Sequence, residues 1–126
     1  MRELPFPARF FDVERVGDVV VVTFPGPSLL DEDTIRVIDK QLDHLVTQSG
    51  CRYFVLNLDG VTAMTSLMLA KLVRFYQKVK TAEGRVALSE LSPELYRKFE
   101  WTRLTRVFRI FSKKEEALRG VQQDRG

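Results

Sequence analysis

Apolar residues run almost without a break from Tyr53 to Leu58, as Tyr53, Phe54, Val55, Leu56 and Leu58. A run of that length predicts a central β-strand covered on both faces. Asp59-Gly60 stops it, and after Val61 and Thr62 the stretch Ala63-Met64-Thr65-Ser66 leads into a different periodicity. Leu69, Leu72, Val73 and Tyr76 recur at helical spacing, predicting a helix from about Ser66 to Thr81. Its apolar arc is broad: Met68, Leu69, Leu72, Val73, Phe75, Tyr76 and Val79. Thr65 and Ser66 are both candidates for the N-cap. They would sit at the carboxyl end of a central strand, where open α/β sheets place binding and modification sites.

The flanking segments read in the same way. Met1 to Ala8, with Pro5 and Pro7, is an extended lead-in; Phe11–Val16 and Val19–Phe24 predict a hairpin turning at Gly17-Asp18. Pro25-Gly26-Pro27 ends the second strand, because proline cannot donate to a ladder. Asp31, Asp33 and Thr34 crowd acidic and capping groups at the start of a helix running to about Thr47, with Ile35, Ile38, Leu42, Leu45 and Val46 as its buried stripe. Gln48-Ser49-Gly50 closes that helix, and Cys51 enters the central strand. Downstream, Glu83-Gly84 ends the second helix and Arg85 to Leu88 forms a strand. Ser92-Pro93-Glu94 starts a helix carrying Leu95, Tyr96 and Phe99, with Trp101 expected to anchor the following turn. Val107 to Phe111 reads as an edge strand, and Ser112-Lys113-Lys114-Glu115 has capping-box spacing for a last helix with Ala117 and Leu118. From Val121 the tail is polar and expected to fray. The order β-β-α-β-α-β-α-β-α predicts an α/β fold: a small mixed sheet of about five strands with about four helices. It makes one domain over residues 1–126, with its core at about 11–118.

Composition agrees. At 126 residues, 44% hydrophobic and 29% charged, the chain suffices for one soluble domain, most simply a cytoplasmic one. The one cysteine, Cys51, cannot make an internal bridge; it reads as a small buried side chain, with adjacent Arg52 the only hint of an activating charge. Apolar runs are strand-sized, and the first residues lack the apolar core of a signal peptide, so no membrane insertion is expected. The net charge of +3 hides an asymmetry: residues 1–60 hold 6 Lys/Arg against 10 Asp/Glu, and residues 61–126 hold 14 against 7. An acidic first half precedes a basic second half.

The candidate chemistry is sparse. There is no glycine-rich phosphate loop, no His and Cys pair and no zinc-ligand spacing, so no enzyme, cofactor or metal is expected. Asp31 and Asp33 are explained by capping, and His44, the only histidine, reads as a surface or boundary residue. Arg97, Lys98, Arg103, Arg106, Arg109, Lys113 and Lys114 are interleaved with Tyr96, Phe99, Trp101 and Phe108. Those aromatic spacings fit a core and a strand rather than a nucleic-acid surface. On the second helix, Leu67, Lys71, Arg74 and Lys78 share one face. That face is either an ordinary solvated surface or an interaction surface beside Ser66.

The strand, Asp59-Gly60-Val61-Thr62, Ala63-Met64-Thr65-Ser66, helix sequence resembles the STAS domain of sulfate transporters and anti-sigma factor antagonists. The element order matches over about Phe11 to Leu118. The antagonist branch carries a phosphorylatable serine just before the helix, usually within Asp-Ser-Ser-Gly. Laid onto Thr65-Ser66-Leu67-Met68, that motif puts Ser66 at the phosphorylated position, with Thr65 for the usual Asp and Met68 for the usual Gly. The resemblance implies a non-enzymatic module that binds an anti-sigma factor of the serine-kinase type until Ser66, or secondarily Thr65, is phosphorylated. The expected partner surface is Leu67, Lys71, Arg74, Lys78 and Asp59, with Met68 adding bulk where the family keeps glycine. The alternative is a STAS scaffold without a phosphoswitch, binding another STAS domain or a membrane-transport component.

Overall fold

Strands β1 (Asp12–Val16) and β2 (Val19–Thr23) form the expected antiparallel hairpin, with Val16 opposite Val19. Gly17 takes φ +61 in the two-residue turn, a conformation that strains any side chain. The computed structural model describes residues 11–24, 28–47 and 50–123. The expected lead-in, the stop at Pro25-Gly26-Pro27, the closure at Gln48-Ser49 and the tail at 124–126 lie outside the described residues.

Helix α1 (Glu32–Thr47) starts as read: the Asp31 carboxylate accepts from both the backbone N–H and the hydroxyl of Thr34, each at 2.9 Å. The central strand β4 (Tyr53–Asn57) lies parallel to β2, with Val21 beside Val55. Helix α2 (Ser66–Thr81) crosses over to β6 (Arg85–Ser89), which pairs with β4 on its other side. Helix α3 (Pro93–Trp101) has Ser92 as its cap, its hydroxyl accepting from the Leu95 N–H at 3.1 Å. A 3-10 turn at Leu104–Arg106 leads to β7 (Arg109–Phe111) and then α4 (Lys114–Gln123). The sheet order is β1-β2-β4-β6-β7, parallel except for the hairpin.

This is the mixed five-stranded sheet with four helices that the apolar pattern predicts. Alternation along each strand sends Val20, Val22, Phe54, Leu56 and Leu88 into one core with Ile38, Leu42, Leu72 and Phe99. Val19, Val21, Val55 and Ala87 point the other way, onto Ala117 and Val121 of α4. Both faces of β4 are therefore buried, so its run is continuously apolar rather than alternating.

Three expectations need correction, those for Trp101, Val121 and Ser112, and two others gain detail. Two further strands, β3 (Ser28–Leu29) and β5 (Ala63–Met64), pair in parallel outside the main sheet; at two residues each they are too short to show a periodicity. Trp101 anchors nothing: it is 85% exposed, because it follows the core residue Phe99 by two positions, about 200° around the helix. Val121 is not frayed tail but a buried contact of α4, which continues to Gln123. Ser112 does not cap α4; the Glu90 carboxylate accepts from the Lys114 N–H at 2.9 Å, reaching over from the end of β6. At the end of α2 it is Glu83, at φ 65, that takes the left-handed turn. Gly84 is required for a different reason, since a Cβ there would lie 2.1 Å from the Arg52 carbonyl oxygen.

Candidate functional site

The turn from β5 into α2 is built by backbone pairing first. The Thr65 N–H donates to the Leu29 carbonyl at 3.2 Å, extending the β3–β5 ladder by one bond and fixing where the helix begins. Thr65 is extended, with φ −77 and ψ 165, and its hydroxyl oxygen accepts from the Met68 N–H at 3.1 Å. It is the N-cap. This assigns the two hydroxyls separately: Thr65 satisfies an orphan helix donor, and Ser66, the first helical residue, is exposed, with no hydrogen bond to its hydroxyl among the described residues. No acidic side chain occupies the first turn of α2, so the positive end of its dipole is uncompensated by side-chain charge.

Met68 does not add bulk at this surface. It is fully buried in the core, because the helix turns its third residue inward beneath Thr65. Leu67 points outward, 38% exposed, and Leu30, which follows β3, is 53% exposed. The Lys98 ammonium of α3 donates to the Met64 carbonyl, tying a cation to the residue before the cap. Trp101 follows Lys98 by three residues and so shares its flank of α3. Leu30, Lys98 and Trp101 were not singled out for this site in the sequence. The one available signal was the doublet Leu29-Leu30, of which a strand can bury only one member on a given face.

The basic face of α2 is not an unpartnered stripe. Asp39 of α1 pairs with Lys71 at 3.4 Å and with Arg74 at 3.2 Å, and Asp43 pairs with Lys78. The acidic first half and basic second half of the chain thus meet along the α1–α2 seam. Arg74 keeps half of its side chain in solvent, and Lys71 and Lys78 are more enclosed. Asp59 lies apart from this seam. It is exposed after β4, its N–H donating to the Asn57 side-chain oxygen at 3.0 Å, and it lines a polar cleft with Glu90, Ser92, Lys113 and Glu115.

The remaining candidates resolve simply. Cys51 is buried, and the cation that reaches its sulfur is Arg15, at 3.7 Å, rather than Arg52. His44 is a boundary residue. Among the described residues no group of His, Cys, Asp and Glu side chains could hold a metal, and no helix is long and apolar enough to cross a membrane. Of the aromatics assigned to the core, Phe99 and Phe108 belong there, but Tyr96 and Trp101 are exposed.

The model of the STAS domain family matches residues 10–117, and this chain belongs to that family. Its antagonist members are regulatory, non-enzymatic proteins. The chain is 23% identical over 107 residues to the anti-sigma F factor antagonist of Paenibacillus polymyxa, covering 85% of this chain and 90% of that one. Its fold superimposes on a candidate anti-sigma factor antagonist of Thermotoga maritima with a TM-score of 0.80, at 22% identity and covering 90% and 96% of the two chains. It also matches the phosphorylated form of the Bacillus cell fate determinant SpoIIAA, with a TM-score of 0.71 at 21% identity over 88% and 98%.

Proposed function

We propose that this protein acts in the cytoplasm as an anti-sigma factor antagonist, regulating transcription by binding a serine-kinase-type anti-sigma factor until Ser66 is phosphorylated. The observation that carries this reading is the division of labour at the start of α2. Thr65 holds the cap, so Ser66 is released from structural duty and presents its hydroxyl to solvent. A phosphate there adds about −1.5 to −2 charges at neutral pH, and a helix N-terminus accommodates an anion without unfolding. The surface changes sign while the core stays intact.

The binding surface in this reading centres on Ser66 and Leu67, with Leu30 as apolar neighbour. It runs onto the outer sides of Lys71, Arg74 and Lys78, whose inner sides face α1, and Asp59 marks its edge beyond β4. Burial of Met68 supports the switch, since its side chain does not stand between a kinase and the Ser66 backbone. The test is to incubate the protein with a serine-kinase anti-sigma factor of the same organism and MgATP, then map phosphate by mass spectrometry. A single phosphate on Ser66, absent from Ser66→Ala, is expected. Phosphate on Thr65 moves the switch by one residue, and binding without phosphorylation of either hydroxyl replaces it with the scaffold reading.

A further inference from the structure

Strand β7 is the outermost strand of the five-stranded sheet, and its far edge pairs with no strand among the described residues. A groove of about 350 Å³ runs beside it, lined by Tyr96, Arg106, Val107, Phe108, Arg109 and Ile110. No acidic side chain lines this groove, and Tyr96 leaves 40% of its surface in water. Arg97, Arg103 and Arg106 are exposed along the approach from α3, and none has an ion-pair partner among the described residues. The basic second half therefore divides in two. Lys71, Arg74 and Lys78 of α2 are matched by α1, whereas Arg97, Arg103 and Arg106 have no ion-pair partner among the described residues.

We propose that this edge docks an extended acidic segment of a partner protein. The segment adds to β7 as a further strand, its carboxylates meeting Arg106 and the neighbouring arginines and its apolar side chains resting on Tyr96 and Ile110. Strand addition uses the backbone groups of an open edge for affinity and alternate side chains for specificity. A second copy of this chain is disfavoured as occupant, because edge-to-edge pairing of two β7 strands brings like charges together. A nucleic-acid strand would match the arginines but leave the edge amides unpaired. The Arg109 guanidinium also sits 5.2 Å over the Phe111 ring, on a face a base would use for stacking. The surface shares no residue with the Ser66 site and does not depend on that site's function.

The probe is a fluorescein-labelled peptide of about eight residues alternating Glu and Val, a normal strand length, followed by anisotropy and by amide shifts of the protein. Saturable binding is expected, with shifts at Arg109–Phe111, weakening as salt is raised. Arg106→Glu should weaken it about tenfold or more by reversing an interfacial charge, while the circular dichroism of this exposed-site variant stays that of wild type. A proline at the peptide's centre should abolish binding, because it removes a ladder donor. The proposal is overturned by no binding at about 1 mM peptide, the weak end of specific affinities. It is also overturned by indifference to the proline or to Arg106→Glu, or by tighter binding of an oligothymidylate than of the peptide. In the first case the arginines serve only to keep the edge unpaired.

Discussion

Removing the Thr65 hydroxyl isolates what the cap of α2 contributes and separates it from the role of Ser66. In Thr65→Ala the Met68 N–H loses its acceptor at 3.1 Å, and because Thr65 is half-buried, water replaces it incompletely. Loss of such a cap costs about 0.5–2 kcal/mol, typically about 1. With an unfolding entropy of about 2.1 cal/mol/K per residue, this 126-residue chain should lose about 4 °C of melting temperature for each kcal/mol. Thr65→Asp should do the opposite. Asp is at least as good a cap, and it places a negative charge on a helix whose first turn carries none, an effect of about 0.3–1 kcal/mol. Thermal and urea unfolding followed by circular dichroism, with an unchanged urea slope, reads both changes. Thr65→Ala as stable as wild type, or Thr65→Asp less stable, would refute the assignment of Thr65 as the cap.

Leu56→Asp should not fold, since it puts an unpaired charge where both sheet faces are closed; a soluble, folded variant would contradict the placement of β4. Asp39→Asn should cost about 1 kcal/mol by releasing Lys71 and Arg74, modest because Arg74 is half in solvent, and the loss should shrink in high salt. The Thr34 backbone N–H, then its hydroxyl, hold the Asp31 carboxyl below its ordinary 3.8. Its contribution is thus fully present above that value and lost as pH falls through the lower folded one, and an NMR titration should show Asp31 moving back up in Thr34→Ala.

Much of the fold was legible because the signals are local. The continuous run of β4, the helical spacing after Ser66 and the serine-proline start of α3 each depend on residues within a few positions of one another. What was not legible is set by contacts distant in sequence. Glu90 caps α4 from 24 residues away, and no capping rule looks that far. The α1–α2 seam joins Asp39 to Arg74 and Asp43 to Lys78, both pairs 35 residues apart. That seam did leave a trace: two acids spaced by four on one helix face two cations spaced by four on the next. At the site, the choice between Thr65 and Ser66 as cap was open in the sequence because both residues suit the position. It is the ladder bond from Thr65 to Leu29 that fixes the start of the helix.

In the proposed function Ser66 is the exposed, modifiable group of a binding surface. This role is tested by titrating a serine-kinase anti-sigma factor of the same organism with wild type, Ser66→Ala and Ser66→Asp by calorimetry, with folding of each checked by melting. Wild type and Ser66→Ala should bind with affinities within a few-fold of each other, and Ser66→Asp at least about tenfold more weakly, a loss of about 1.4 kcal/mol. Equal affinity of Ser66→Asp and wild type would contradict the account.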